Sequence, residues 1–219
     1  NSIGLYLGYD ANATGNLTVT GVANISGDTF SSELDVEDGA TVVGYNGTGN
    51  LTLSNGGYAN ISGNDGNDIG LYIGYNANAT ASVTVTGVEP SSEDYSQLQV
   101  DGGALVVGYN GNGTLTMSNG GETELDSSDA NGIGIYLGID ANATGNVMVT
   151  GVANISGDTF ASQLDVYSGA LVVGYNGTGN LAITNGGYGY ADDLDGNDVG
   201  MYVGYNAGST GNVTVSGVE

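Results

Sequence analysis

Carboxylates and phenols are the side chains of this sequence with acid–base or metal-ligating chemistry. The 219 residues include 24 Asp and Glu and 15 Tyr, and no Lys, Arg, His, Cys or Trp. The acids crowd into loops. Asp65 with Asp68, Asp126 with Asp129, and Asp195 with Asp198 keep one three-residue spacing, and Asp192 and Asp193 add to the last pair. Carboxylates gathered without neighbouring cations favour a hard divalent ion with oxygen ligands, calcium first. The run Asp193-Leu194-Asp195-Gly196-Asn197-Asp198 alternates acids and Asn as a calcium loop does, but it lacks the bidentate Glu. The same residues also fit a solvated acidic face.

Catalysis finds little to work with. General acid–base chemistry draws mostly on His, carboxylates, Lys and Tyr, and two of these are missing. A serine nucleophile has no His to activate it. A glycosidase needs one unique pair of carboxylates, whereas the acids here recur with the repeat. The expectation is a protein that is not an enzyme. The net charge of −24 excludes electrostatic binding to nucleic acid, which takes Lys and Arg against phosphates, and argues against docking on anionic lipid, which takes a basic patch. No apolar stretch reaches the length of a membrane span. Zero Lys and Arg leaves no trypsin-type cleavage site, which suits an exposed extracellular protein.

The elements that must carry these residues are written seven times. A short apolar run, Gly, an aromatic (Ile139 in one copy) and Asn or Asp, a small-residue turn and an alternating strand recur around Gly8, Gly44, Gly74, Gly108, Gly138, Gly174 and Gly204. The spacings are 36, 30, 34, 30, 36 and 30, so the unit is a long–short pair of about 65 residues. The units run over 1–66, 67–130, 131–196 and the partial 197–219, within one repetitive domain. A period of this size signals a solenoid.

Each copy predicts three strands. The run before the glycine (Leu5-Tyr6-Leu7, Leu71-Tyr72-Ile73) is one. The second, such as Leu17-Thr18-Val19-Thr20, alternates apolar and polar residues as a half-buried strand does. The third is weaker: Leu34-Asp35-Val36, Tyr58-Ala59-Asn60-Ile61, Leu98-Gln99-Val100 and their equivalents. Three short strands per 30–36 residues predict a right-handed parallel β-helix of about seven rungs, an all-β fold. The competing fold is an antiparallel sandwich, for which Asn46-Gly47 and Asn110-Gly111 supply hairpin dipeptides. A sandwich has no reason for a 65-residue period, so the solenoid is preferred.

The runs Val43-Gly44-Tyr45-Asn46-Gly47-Thr48-Gly49-Asn50-Leu51-Thr52-Leu53-Ser54-Asn55-Gly56-Gly57 and Gly74-Tyr75-Asn76-Ala77-Asn78-Ala79-Thr80-Ala81-Ser82-Val83-Thr84-Val85-Thr86-Gly87 resemble the repeats of giant bacterial surface proteins. Those are autotransporter-type passengers and PEP-CTERM-associated repeat proteins. The resemblance covers essentially the whole chain. It implies a β-helical stalk or adhesin at the cell exterior and carries no catalytic residues. The absence of basic residues departs from it.

Stacking turns repeat positions into columns. A Thr/Ser array on the second strand, interrupted at Met148 and Ala182, resembles that of ice-binding solenoids, although Thr is also the default outward residue of a solvated strand. The Asn/Asp column after the tyrosine suits a side-chain ladder or simply a turn. Tyr9, Tyr45, Tyr75, Tyr109, Tyr175 and Tyr205 form an aromatic column in which Ile139 is the exception. Tyr6, Tyr72, Tyr136 and Tyr202, alternating with Val42, Val106 and Val172, would be an apolar stripe for self-association if that face is exposed. Twelve Asn-x-Ser/Thr sequons are possible glycan sites, and Asn- and Thr-rich repeats also generate them by composition. The chain opens at Asn1 and stops at Glu219 on internal repeat phases without polar caps, so the expectation is continuation of the chain or head-to-tail stacking into a homopolymer. Binding or cleavage of glycans, and ice binding, are the alternatives.

Overall fold

The computed structural model describes residues 2–25, 28–92 and 94–217. Asn1, Val218 and Glu219, on which the end-stacking expectation leans, lie outside the described residues.

The fold is an all-β solenoid of parallel sheets. The first sheet joins Ile3–Leu7, Ala40–Val43, Ile69–Ile73, Ala104–Val107, Ile133–Leu137, Ala170–Val173 and Met201–Val203. The second joins the seven alternating strands from Thr14–Thr20 to Thr210–Ser216. The third has six strands, from Glu33–Val36 to Tyr188–Ala191. The described residues therefore hold six complete rungs and two strands of a seventh. Each strand pairs with its equivalent one rung away, in parallel. Leu17 stands beside Leu51, Leu51 beside Val83 and Leu115 beside Val147, with no shift of register along the second sheet. That register excludes the sandwich.

Alternation decides what lies inside. Leu51, Leu53, Ile73, Leu98, Leu105, Leu115 and Met117 point into a core that runs the length of the rod and are essentially inaccessible. A rung buries little alone, so stability comes from neighbouring rungs sharing this core. At ~4.8 Å per rung the stack is roughly 30 Å long.

Corners are made by glycine where backbones nearly touch. Gly44 has φ of 73°, a region that L side chains rarely adopt. An added Cβ on Gly49 would stand 2.1 Å from the Gly44 nitrogen. The dipeptides Asn46-Gly47 and Asn110-Gly111 sit at this corner, between parallel strands, and not in hairpins.

Antiparallel pairing does occur, as an insertion. Val22–Ile25 pairs with Asp28–Ser31, and Val152–Ile155 with Asp158–Ala161. A single antiparallel bridge, Val88 with Tyr95, marks the same place in the third rung. In the fifth rung the turn is Ser156-Gly157, both at positive φ (55° and 101°), the backbone that two-residue hairpins require. The insertion falls between the second and third strands of alternate rungs, and it accounts for the long–short spacing. The rings of Tyr95 and Phe160 meet across two rungs at 5.6 Å.

Candidate functional site

The loop that enters the first strand is built on one aspartate. In the second unit the Asp65 backbone N–H donates to the Ile69 carbonyl (3.1 Å). The Asp65 carboxylate accepts from the Asn67 backbone N–H (2.8 Å), the Asn67 side-chain amide (2.9 Å) and the Tyr72 hydroxyl (2.9 Å). Asp129 repeats the arrangement with Asn131, Ile133 and Tyr136, and Asp195 repeats it with Asn197, Val199 and Tyr202. Tyr72 sits 7 residues after its aspartate, and so do Tyr136 and Tyr202.

This geometry corrects the expected pairing of acids. Asp65, Asp129 and Asp195 are equivalents. Asp68, Gly132 and Asp198 are equivalents too, all at positive φ (60°, 73° and 62°). Asp68 and Asp198 are thus turn residues where one copy uses glycine. Asp126 belongs to a different position, exposed after the third strand. The shared three-residue spacing that joined it to Asp129 is a coincidence of sequence. Among the described residues no three carboxylates gather in a group able to hold a metal ion. The Tyr202 hydroxyl, then the Val199 and Asn197 amides, hold the Asp195 carboxyl down at about 2. Burial first, and the hydrogen bond to Asp65 or Asp129 second, raise the Tyr72 and Tyr136 phenols well above their usual range.

The stripe expected from Tyr6, Tyr72, Tyr136 and Tyr202 is not an exposed one. Tyr72 and Tyr136 are only 3% and 6% accessible, and Val42, Val106 and Val172 between them are sealed. The aspartate loop and the ring column cover this face and form a second apolar layer outside the first sheet. Tyr202 is half-buried and Tyr6 is exposed, both on end rungs.

The columns are bonded along the rod axis. Tyr9, Tyr45, Tyr75 and Tyr109 stack at 5.1, 5.2 and 4.9 Å, and Tyr175 stacks on Tyr205 at 5.0 Å. Asn side chains donate rung to rung: Asn50 to Asn16 and Asn76 to Asn46 (2.8 Å each), Asn180 to Asn146 and Asn212 to Asn180 (2.8 Å each). Hydroxyls do the same where Ser54 donates to Thr20, Ser118 to Thr86 and Thr184 to Thr150. The outward Thr array of the second sheet is thus spent partly on itself.

The outer face of the third sheet holds a pair of acids that repeat logic passes over. Glu122, half-buried, and Asp165, buried, lie on adjacent strands as diagonal neighbours across the register. Burial, then the Asp165 carboxyl, push Glu122 up to about 7, and burial raises Asp165 as well. The equivalent cross-strand pairs elsewhere are Tyr58 with Gln99 and Gln97 with Glu124, each joined by a hydrogen bond to or from an amide side chain. The signal in the sequence is this departure from the column, not the acids' number. Gln97 donates to Glu124 at 2.8 Å beside them.

No family model, no curated protein and no solved structure matches this chain.

Proposed function

We propose that this chain is a structural rod of the cell exterior, a fibre or stalk segment that lengthens as further rungs stack end to end on its sheets. One observation carries the reading: polar and aromatic columns on the rod's outside bond each rung to the next. In the seventh rung the core positions Val215 and Val203 are 73% and 51% accessible, although their equivalents inside the rod are sealed. A further rung of the same pattern, from more chain or from another copy, buries them at ~25 cal/mol per Å² of apolar surface. The first rung fits that role. Thr210–Ser216 reads Thr-Gly-Asn-Val-Thr-Val-Ser and Thr14–Thr20 reads Thr-Gly-Asn-Leu-Thr-Val-Thr, and the internal register already matches such strands residue for residue. Asn212 donates to Asn180, so its own oxygen faces the next rung, where Asn16 of a second copy presents an amide.

The cell exterior is favoured by the lack of any basic residue, by the sequons, and by the likeness to bacterial surface repeats. Such an exterior stalk partners itself first, and glycans only as attachments or ligands.

Concentration-dependent light scattering with electron microscopy tests the stacking. The expected result is rods whose lengths grow with concentration, and their loss in Val215→Asp, which puts a charge on the open edge. A stable monodisperse monomer at high concentration sinks the proposal.

A further inference from the structure

One hollow on the rod belongs to a single copy of the repeat. Residues 131–219 match residues 1–89 at most positions, so a feature confined to the later copy is not dictated by the repeat. On and beside the outer face of the third sheet, Glu37 and Asn60 of the first copy stand where the later copy has Tyr167 and Tyr190. These two changed positions meet in space. The rings of Tyr167 and Tyr190 lie 5.7 Å apart at 61°, and Tyr188 stands beside Tyr190 at 6.4 Å, nearly parallel to it. All three rings are exposed, and with Gln163 and Asp165 they line an open hollow of about 250 Å³.

Charge around the hollow has one sign. In the first copy Asn60 donates to Asp35 at 3.1 Å. In the later copy a ring, Tyr190, takes the place of that amide beside Asp165. Glu122 and Glu124 lie on the next strand. The Tyr167 phenol is raised above its usual range, first by the charge of Asp165, then by burial, Glu124 and Glu122. Aromatic faces attract a cation, and carboxylates beneath them strengthen the pull. The chain has no Lys, Arg or His of its own to supply that cation. Tyr188–Ala191 is the last strand of the third sheet. Its rings stand on the face of the sheet and not on its edge, so a rung added there leaves the hollow open.

We propose that Tyr167, Tyr188, Tyr190 and Asp165 bind a small soluble organic cation with an N-methylated ammonium head. The methyl groups of such a head spread its charge over a surface that packs on rings, and Asp165 supplies the counter-charge. A neutral head of the same shape lacks that attraction. A phosphate attached to the cation meets a chain of 24 acids and no base with the wrong sign.

Three probes share one head shape: choline, its uncharged isostere with carbon in place of nitrogen (neohexyl alcohol), and phosphocholine. Titrated into the intact chain and followed by ligand NMR, choline should bind about fivefold tighter than either of the others, with its methyl protons shifted upfield by the rings. Tyr190→Asn restores the first copy's residue, which the fold already accepts there, and should weaken choline about fivefold. Asp165→Asn should weaken choline and spare neohexyl alcohol. Tyr95→Asn removes an exposed ring outside the hollow and should change nothing. No binding of choline to the wild-type chain overturns the inference, and so does undiminished binding to Tyr190→Asn or an equal loss in Tyr95→Asn. Neohexyl alcohol binding as tightly as choline overturns the preference for a cation. Phosphocholine binding as tightly overturns the soluble ion in favour of a lipid-type head group.

Discussion

The Tyr72 hydroxyl donates to the Asp65 carboxylate at 2.9 Å, and the bond ties the loop entering a rung to the strand that leaves it. The same bond recurs at Tyr136 with Asp129 (2.7 Å) and Tyr202 with Asp195 (2.6 Å). The aspartates gather donors from their own loop and the tyrosines seal the layer beneath.

Removing one hydroxyl tests this. Tyr72→Phe leaves the ring in place and takes a donor from a carboxylate that is 2% accessible. The expected loss is ~1–3 kcal/mol of unfolding free energy, read by denaturant titration. Tyr202→Phe, on a half-buried ring, should cost less. Equal and negligible losses at both sites would show that the bond is incidental.

Net charge sets a salt response. With −24 unopposed, self-repulsion weakens the compact state, and screening relieves it. Melting temperature should rise with sodium chloride. An ion entering at Asp65, Asp129 or Asp195 must displace the donors already there, so calcium and magnesium should act alike at matched ionic strength. A rise specific to calcium and reversed by EDTA would restore a metal role to these loops, with Asp68, Asp126 or Asp198 as further ligands.

Stability should also depend on pH near neutrality. Glu122 has a folded value of about 7 against 4.5 unfolded. Between these values the folded chain holds a proton that the unfolded chain has lost, so this group's contribution falls as pH rises from ~4.5 to ~7. Asp195 works the opposite way, since its value is lowered to about 2 from 3.8. Its contribution is present above ~4 and fades as pH drops towards 2. Glu122→Gln should flatten the neutral limb alone. A wild-type profile already flat from pH 5 to 7 would contradict the carboxyl pair.

Corner glycines divide sharply. Gly49→Ala drives a Cβ to 2.1 Å from the Gly44 nitrogen, and Gly113→Ala drives one to 2.1 Å from the Ile73 carbonyl oxygen. Each should cost more than ~3 kcal/mol, in the range reserved for backbone strain and core disruption. Gly196→Ala meets nothing within 4 Å and should stay within ~0.5 kcal/mol of wild type. A tolerant Gly49→Ala would mean that the corner between Val43 and Thr48 is wider than described.

Much of this architecture is written locally, and so it is legible. The alternation in Leu17-Thr18-Val19-Thr20 names the inward residues, and the weak third strands fall where Leu34-Asp35-Val36 and Tyr58–Ile61 place them. Two things escaped. The hairpin of Val152–Ile155 with Asp158–Ala161 lacks the Asn-Gly turn that announces a hairpin, and its turn is Ser156-Gly157. The aspartate loops misled because spacing along the chain is not position in a rung. The shared run Asp-x-Asn-x-Ile/Val-Gly-x-Tyr aligns Asp129 with Asp65 and Asp195, and the backbone agrees, with Gly132 at positive φ where Asp68 stands. Tyr72 reads as outward from alternation, and it is; what covers it is a loop bonded through Asp65, and that bond has no sequence pattern apart from this run.

The hairpins on alternate rungs also constrain how such a chain is copied. Tyr95 and Phe160 already touch across two rungs, so two adjacent rungs that both carried the insertion would collide. A duplication or deletion of a single rung would bring two inserted rungs together or leave two bare ones side by side. Exchange in whole pairs preserves the comb. The rod therefore has a parity, and the 65-residue period is the smallest step by which its gene lengthens or shortens without a defect.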